Sequence, residues 1–534
     1  MSSIHNLRAI AAPIAGSEVL AGSDPAGAPA IAAPQASPGT RVFRNTFVQL
    51  LGRVVSLLLS VGTSVLLARY LGRGRLGEYG ALYAYLGLYT WLASFGLEQI
   101  LAREASQRRL QAGSIFFTGS VVGICLAFAG TGFALLLAPW FGFSHGMRLL
   151  LLFAAVDIML LPSMSFASIV FQVDLRQWYP VGFGLFRQTL WLLAVILLAR
   201  GGAGFFWVIA LRTMVAVLTA LLTLPFCWQK KFLPRPVRFS WSEARQLLRY
   251  GLPVALSAVA VGVYHRIDQV MLHKMTGDVT LGPYVVAVQM AELFSALPVA
   301  LMSSLFPILS RTAHQEEQFR HYLGVSYRFL MAVVFFVCAI LIPIAAPLVN
   351  LFYGKEFQSS AGLLIVLIWS EVPVFFGVVL TSAVMAKGLQ RYLPVSTAVG
   401  ALMNIVLNFL FIPRWGALGS SWATVMSYTV AALFFIAFRP TRSLTLQGVR
   451  LALRPLALVL GITVVLQFLP WVFWWKFVAA CACYVAGAWA MGIVLHSELR
   501  RVWELIRSNS LLFGCNQPLA ISYPLRKAPG DRKD

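Results

Sequence analysis

Four arginines of this 534-residue chain, Arg53, Arg187, Arg212 and Arg266, stand inside apolar runs long enough to cross a bilayer. A charge at that depth costs about 2.5–3.5 kcal/mol on insertion scales, so each is a functional candidate. Guanidinium forks match the paired oxygens of a pyrophosphate, and several around one cavity would attract such an anion while an attached apolar tail stays in lipid. The structural alternative is an ion pair with a buried carboxylate or, for Arg53, about two turns from one face, snorkelling to the surface. Carboxylates at similar depth are Asp157, Asp268, Glu292 and Glu371. Glu371 has no opposite charge nearby in sequence, which makes it the first choice for coupling to a proton or sodium ion. Asp268 is second, because it lies two residues from Arg266 and six from Lys274, where local pairing competes with an ion-carrying role. Tyrosines Tyr79, Tyr83, Tyr85 and Tyr89, with Trp91, recur along one apolar run. Tyr83 and Tyr89 are candidates to face sugar rings; core packing or an interfacial belt is the competing use. Asn404 and Asn408 share a helix face and either line a cavity or bond between helices.

The elements that must position these residues follow from composition. The chain is 59% hydrophobic and 11% charged, against about 25% charge in soluble domains. With a mean hydropathy of +0.78, it carries more apolar surface than an aqueous core absorbs. Apolar segments near the ~20 residues needed to span occur at 46–70, 76–101, 113–138, 148–172, 178–199, 203–227, 251–273, 281–309, 325–351, 361–386, 393–412, 417–438, 452–470 and 474–495. The fold class predicted is an all-α polytopic membrane protein of about fourteen helices.

Of the 42 lysines and arginines, 29 fall in the loops and tails on the side of the termini, nine on the other side and four at membrane depth. That bias predicts both termini in the cytoplasm. It also explains the net charge of +23 by topology and anionic lipid rather than by nucleic acid, since no single patch collects it. The six cysteines, including Cys481 and Cys483 in one apolar run, show no metal or redox spacing. No cofactor is expected beyond a coupling ion. Residues 1–40 read as a disordered cytoplasmic tail without a signal-peptide pattern.

One pattern appears twice. Arg69-Tyr-Leu-Gly72-Arg-Gly-Arg-Leu76-Gly77-Glu-Tyr79 and Lys274-Met-Thr-Gly277-Asp-Val-Thr-Leu281-Gly282-Pro-Tyr284 share a basic residue, Gly, Leu-Gly and Tyr at an offset of 205 residues. Each copy joins two apolar runs, which implies a duplicated bundle. Six helices per copy is an even number, so the copies are parallel repeats. The expected organisation is a bundle at 41–228, a cytoplasmic loop at 229–250, a second bundle at 251–440, two added helices at 441–496 and a tail at 497–534.

The stretches Arg44-Asn45, Gln49-Leu-Leu-Gly52-Arg53 and Ala68-Arg69-Tyr-Leu-Gly72 resemble polysaccharide transporters, the Wzx-type lipid-linked oligosaccharide flippases of the multidrug/oligosaccharidyl-lipid/polysaccharide exporter superfamily. So do Tyr250-Gly-Leu-Pro253, Arg266-Ile-Asp268-Gln-Val-Met271, Leu305-Phe-Pro307 and Asn404-Ile-Val-Leu-Asn408 with Ile412-Pro413-Arg-Trp-Gly416. The resemblance covers about 41–500. It implies two bundles working by alternating access on a polyprenyl-diphosphate-linked oligosaccharide, in the inner (plasma) membrane, for exopolysaccharide, capsule or O-antigen synthesis. Membrane lipids, a polysaccharide polymerase and a chain-length regulator are the implied partners. A drug or small-molecule antiporter of the same superfamily is the first rival; a first helix with Arg53 and no acid favours an anionic cargo instead. A peptidoglycan lipid precursor, which also carries pyrophosphate, is the second. A glycosyltransferase or polymerase would need a long outer loop, and none of the outer loops is long. No Gly-x-x-x-x-Gly-Lys-[Ser/Thr] loop points to ATP, and no enzymatic activity is expected.

Overall fold

The computed structural model describes residues 38–107, 112–173, 176, 178–227, 229, 237–469 and 472–492. The expected tails fall almost wholly outside the described residues, as do Lys230, Lys231, Pro234 and Pro236 of the long loop. Fifteen α-helices follow in order: α1 Pro38–Ser94, α2 Leu97–Gln107, α3 Ala112–Leu137, α4 His145–Val173, α5 Trp178–Gly201, α6 Phe205–Cys227, α7 Trp241–Thr276, α8 Asp278–Glu292, α9 Ala296–Arg311, α10 Glu316–Tyr353, α11 Ser359–Leu367, α12 Glu371–Ala386, α13 Leu393–Leu433, α14 Arg439–Phe468 and α15 Phe473–Ala490. No strand occurs among the described residues.

At about 1.5 Å per residue, the 57 residues of α1 are far too long for one crossing of a ~30 Å core. Its helical backbone breaks at Gly72 (φ 67°, ψ 179°), and that of α13 breaks at Gly416 (φ 54°, ψ −132°), so each provides two passes. The pairs α8–α9 and α11–α12 are single passes with a short interruption, and α2 continues the second arm of α1 past a bend at Phe95 and Gly96. Nine stretches among the described residues are long and apolar enough to cross a membrane, two of them holding a reversal. With α4, α7 and α15, the described residues provide about fourteen helical segments of crossing length, one for each expected span.

Some helices start sooner than hydropathy suggests. α7 begins at Trp241, so residues 241–250, read from sequence as loop, are its first turns. The Ser240 hydroxyl caps it, accepting from the Glu243 N–H at 3.4 Å, and Ala244 and Leu247 are buried against α2, α3 and the ends of α4 and α6. α10 likewise starts at Glu316 rather than near 325.

The duplication is visible as geometry. Gly72 and Gly277 adopt the same conformation (φ 67°, ψ 179° and φ 82°, ψ 173°), open to glycine alone. A Cβ at Gly77 would overlap the carbonyl oxygen of Asp278, and one at Gly282 would overlap that of Arg73. Exchanging the repeats, 77 for 282 and 278 for 73, turns the first contact into the second. Gly80 faces Val285, its own counterpart. Two copies of one helical hairpin thus meet across a pseudo-two-fold axis, backbone to backbone, as parallel repeats require.

Gly72 faces Glu356, Gly142 faces Lys274 and Gly416 faces Thr280, which gathers these turns at one end of the molecule, the turn end. The largest apolar cluster lies there and draws on both halves, from Leu67, Leu82 and Val208 to Leu281, Val286 and Phe357. A second cluster joins α9, α10 and α12 to α14 and α15, with the Tyr484 hydroxyl donating to the Ala332 carbonyl at 2.7 Å. The two added helices therefore pack on the second half.

Candidate functional site

Between both arms of α1, α4, α5 and α6 on one side and α7 and α8 on the other lies a cavity of ≈ 530 Å³. Arg187, Arg212, Arg266 and Tyr83 line it, with Asp157 as its one acidic lining residue. Three guanidinium groups against one carboxylate leave an excess of two positive charges. Asp157 on α4 bridges two of them. Arg212 Nε donates to its Oδ2 at 3.0 Å, and Arg187 Nη1 lies 3.9 Å from its Oδ1. The structural ion pair weighed for the arginines is thus present for Arg212 and looser for Arg187.

Aromatic rings fix the Arg212 guanidinium in place. Its carbon lies 3.8 Å from the Tyr83 ring centre and 5.8 Å from that of Trp191, and its Nη1 donates to the Tyr79 hydroxyl. Such cation–π contacts contribute about 0.5–2 kcal/mol each and orient the fork without neutralising it. A third of its side chain, 30%, remains exposed, and 35% of Arg187. Arg266 makes no hydrogen bond or ion pair among the described residues; its aliphatic stem passes Gly87 of α1. The Tyr83 hydroxyl and Gln188 Oε1 are buried without a protein partner. Bidentate donors beside aromatic faces are what an anion joined to sugar rings requires.

At the turn end the two halves are tied together. Arg69 donates from Nε to the Phe352 carbonyl and from Nη2 to the Leu351 carbonyl, both at 2.6 Å, so a cation caps the C-terminus of α10. The Arg73 N–H donates to Glu356 Oε1 at 2.8 Å, and Ser64 bonds to Gln289. At the opposite end Gly96 meets Val254, Gly251 meets Phe95, and the Arg103 guanidinium sits 5.7 Å from the Tyr250 ring centre.

The other sequence-chosen residues lie elsewhere. Arg53 is exposed on the first arm of α1, beyond the cavity lining. Tyr89 packs on the far face of its helix, its hydroxyl 3.2 Å from that of Tyr85 and its ring against Phe133. Asn404 and Asn408 are fully buried in a ladder inside α13: Asn404 Nδ2 donates to Ser427 Oγ at 3.0 Å, and Asn408 Oδ1 accepts from Ser420 Oγ at 2.8 Å. Asp268 accepts from the Tyr284 hydroxyl at 2.6 Å and from the Gln269 N–H at 2.7 Å, so its closest partners are neutral donors, not Lys274. Glu371 accepts from Ser295 Oγ at 3.0 and 3.1 Å, where the interruptions of two passes meet, and no ion pair to it is present among the described residues. Sequence reading missed Trp191 and Gln188 as cavity residues. Their signal was adjacency: Gln188 follows Arg187, and Trp191 lies one turn on.

Residues 42–313 match the family described as "Polysaccharide biosynthesis protein", and residues 253–410 match "MatE". The probable low-salt glycan biosynthesis flippase Agl15 of Haloferax volcanii is 20% identical over 371 residues, 68% of this chain and 76% of that protein. The uncharacterized membrane protein YabM of Bacillus subtilis is 24% identical over 425 residues, 73% of this chain and 78% of that protein. Among solved structures, the lipid II flippase MurJ in an inward closed conformation superposes with a TM-score of 0.63 at 15% identity, covering 84% of this chain and 98% of that one. An inward-facing multidrug resistance MATE transporter superposes with a TM-score of 0.57 at 16% identity, covering 76% and 99%. These two share the fold.

Proposed function

The chain belongs to the polysaccharide biosynthesis protein family of the multidrug/oligosaccharidyl-lipid/polysaccharide exporter superfamily, whose members are transporters and not enzymes, and from that premise we propose that it flips a polyprenyl-diphosphate-linked oligosaccharide across the plasma membrane. The observation that carries this reading is the cavity's charge: three arginines, one shared carboxylate, and no unpaired acid among its lining residues. A carrier of cationic drugs would need the opposite sign. In this scheme the diphosphate binds at Arg212, Arg187 and Arg266, the first sugars lie against Tyr83 and Trp191, and the prenyl chain stays in lipid.

Residues 41–228 rock against 251–440, with the Arg69–α10 cap as the gate on the outer face, opposite the cytoplasmic termini. Glu371, and after it Asp268, carry the coupling ion. Polymerase and chain-length regulator receive the product on the far side. The test is reconstitution in vesicles with a fluorescent polyprenyl-diphosphate oligosaccharide whose exposed label is quenched from outside. The protein is expected to accelerate flipping, and Arg212→Ala to abolish most of it at equal abundance. Gradient-driven efflux of a lipophilic cation without flipping would overturn the reading in favour of an antiporter. Flipping restricted to the peptidoglycan precursor would reassign the cargo.

A further inference from the structure

A second cavity of ≈ 540 Å³ lies far from the first in sequence, between the N-terminal parts of α10 and α14. Arg320, His321 and Arg328 line it from α10, Gln447 and Arg450 from α14, and no acidic residue lines it among the described residues. The walls are held at close range. A Cβ at Gly448 would press on the Tyr327 and Phe376 rings, and Gln447 Nε2 donates to the Arg320 carbonyl at 2.8 Å. Gln447 Oε1 is buried there without a partner. Glu316 is already engaged outside, with Arg320 Nε and Lys387 Nζ, each at 2.7 Å. Nothing in the transport scheme uses this groove.

Two features specify the occupant. The lining is cationic in the first turns of α14, ahead of the helix's long apolar run. From Arg450 an apolar stripe then runs down the helix: Leu453, Leu460 and Val464 follow at helical spacing and are 55%, 47% and 54% exposed. A headgroup of negative charge with acyl chains below it fits both; a free anion would leave the stripe unexplained. We propose that this groove binds the phosphodiester headgroup of an anionic membrane phospholipid, its acyl chains lying along α14. The lipid would bridge α10 of the second half to α14 of the added helices.

The experiment uses the full chain, purified in mild detergent, with bound lipids counted by native mass spectrometry during titration with phosphatidylglycerol or phosphatidylethanolamine. One phosphatidylglycerol is expected to remain bound at concentrations where phosphatidylethanolamine is lost. The double variant Arg328→Gln/Arg450→Gln should weaken that binding by about tenfold or more. The double Arg→Lys variant should keep most of it, because charge is retained. Arg442→Gln, exposed at the same end and engaged with the Ile436 carbonyl at 2.9 Å, should leave it unchanged and so controls for general surface charge. Equal retention of both lipids, or no loss in the Gln variant, overturns the proposal. So does displacement of phosphatidylglycerol by inorganic phosphate, which would make the groove a soluble-anion site. Displacement by polyprenyl diphosphate at stoichiometric amounts overturns it too, by assigning the groove to cargo.

Discussion

Tyr79 and Tyr284 occupy equivalent places in the two repeats, 205 residues apart, yet their hydroxyls serve opposite charges. Tyr79 accepts from the Arg212 guanidinium, and Tyr284 donates to the Asp268 carboxylate at 2.6 Å. Around them the frame is shared: the reversals at Gly72 and Gly277, the backbone contacts at Gly77 and Gly282, the tyrosine itself. Duplication kept the parts that fix the backbone and let the interior electrostatics diverge. The first half supplies two of the chamber's three arginines, Arg187 and Arg212; the second supplies Arg266 and holds Asp268 and Glu371 on hydroxyl donors. In the proposed scheme the anion and the coupling ion occupy different places, since neither Asp268 nor Glu371 is among the residues that line the chamber.

Removing the charge on one side alone should break this division most severely. Arg212→Ala is expected to lower flipping by about a hundredfold, the ~3 kcal/mol of lost charge-assisted hydrogen bonds, while Arg212→Lys keeps part of the rate. Vesicle flipping rates at matched protein levels check both. The shared frame should respond symmetrically. Gly77→Ala and Gly282→Ala each force a methyl into a carbonyl of the other repeat, so each should destabilise by a similar amount, about 1–3 kcal/mol, read as equal drops in the detergent melting temperature. Unequal drops would mean that the two-fold frame is not evenly loaded.

The acids should sharpen the contrast by failing differently. Glu371→Gln and Asp268→Asn are expected to cut gradient-driven transport about tenfold and leave cargo binding to purified protein unchanged. A change in cargo affinity instead would place these acids in the chamber. The smallest effects come from the hydroxyls themselves. Tyr79→Phe and Tyr284→Phe each remove about 1 kcal/mol of hydrogen bonding. The first should raise the cargo KM roughly fivefold, the second should shift only the dependence on the ion gradient. Identical phenotypes would dissolve the distinction.

The helical frame was legible from composition and repeat because both depend on local chain properties: apolar run length, loop charge and the glycines that reversals demand. Arg187, Arg212 and Arg266 could be chosen from depth and Tyr83 as an aromatic face, and these four meet around one cavity; Arg53, chosen with the other arginines, does not line it. Which faces meet was not readable. Arg212 and Asp157 are 55 residues apart, and nothing in either segment specifies the pairing. Periodicity placed Asn404 and Asn408 on one face but could not say that this face is sealed by Ser420 and Ser427 of the returning pass. Tyr89 failed to reach the cavity for a similar reason: residues 83 and 89 lie on different sides of a helix with 3.6 residues per turn, and only one side borders the chamber.

The early start of α7 has a mechanical meaning. Its 36 residues make a rod of about 54 Å. One end is embedded among α2 and α3, where Leu247 is buried and the Ser240 N–H donates to Thr118 at 3.1 Å. The other end belongs to the opposite half, packed along the second repeat. If the halves rock as proposed, a beam clamped in both must carry their relative motion as torque. The load falls where the rod crosses from one body to the other, at Gly251 and Val254, which touch Phe95 and Gly96. Under the proposed rocking, α7 would act there as a torsion spring between the halves, its stiffness setting how far each stroke swings.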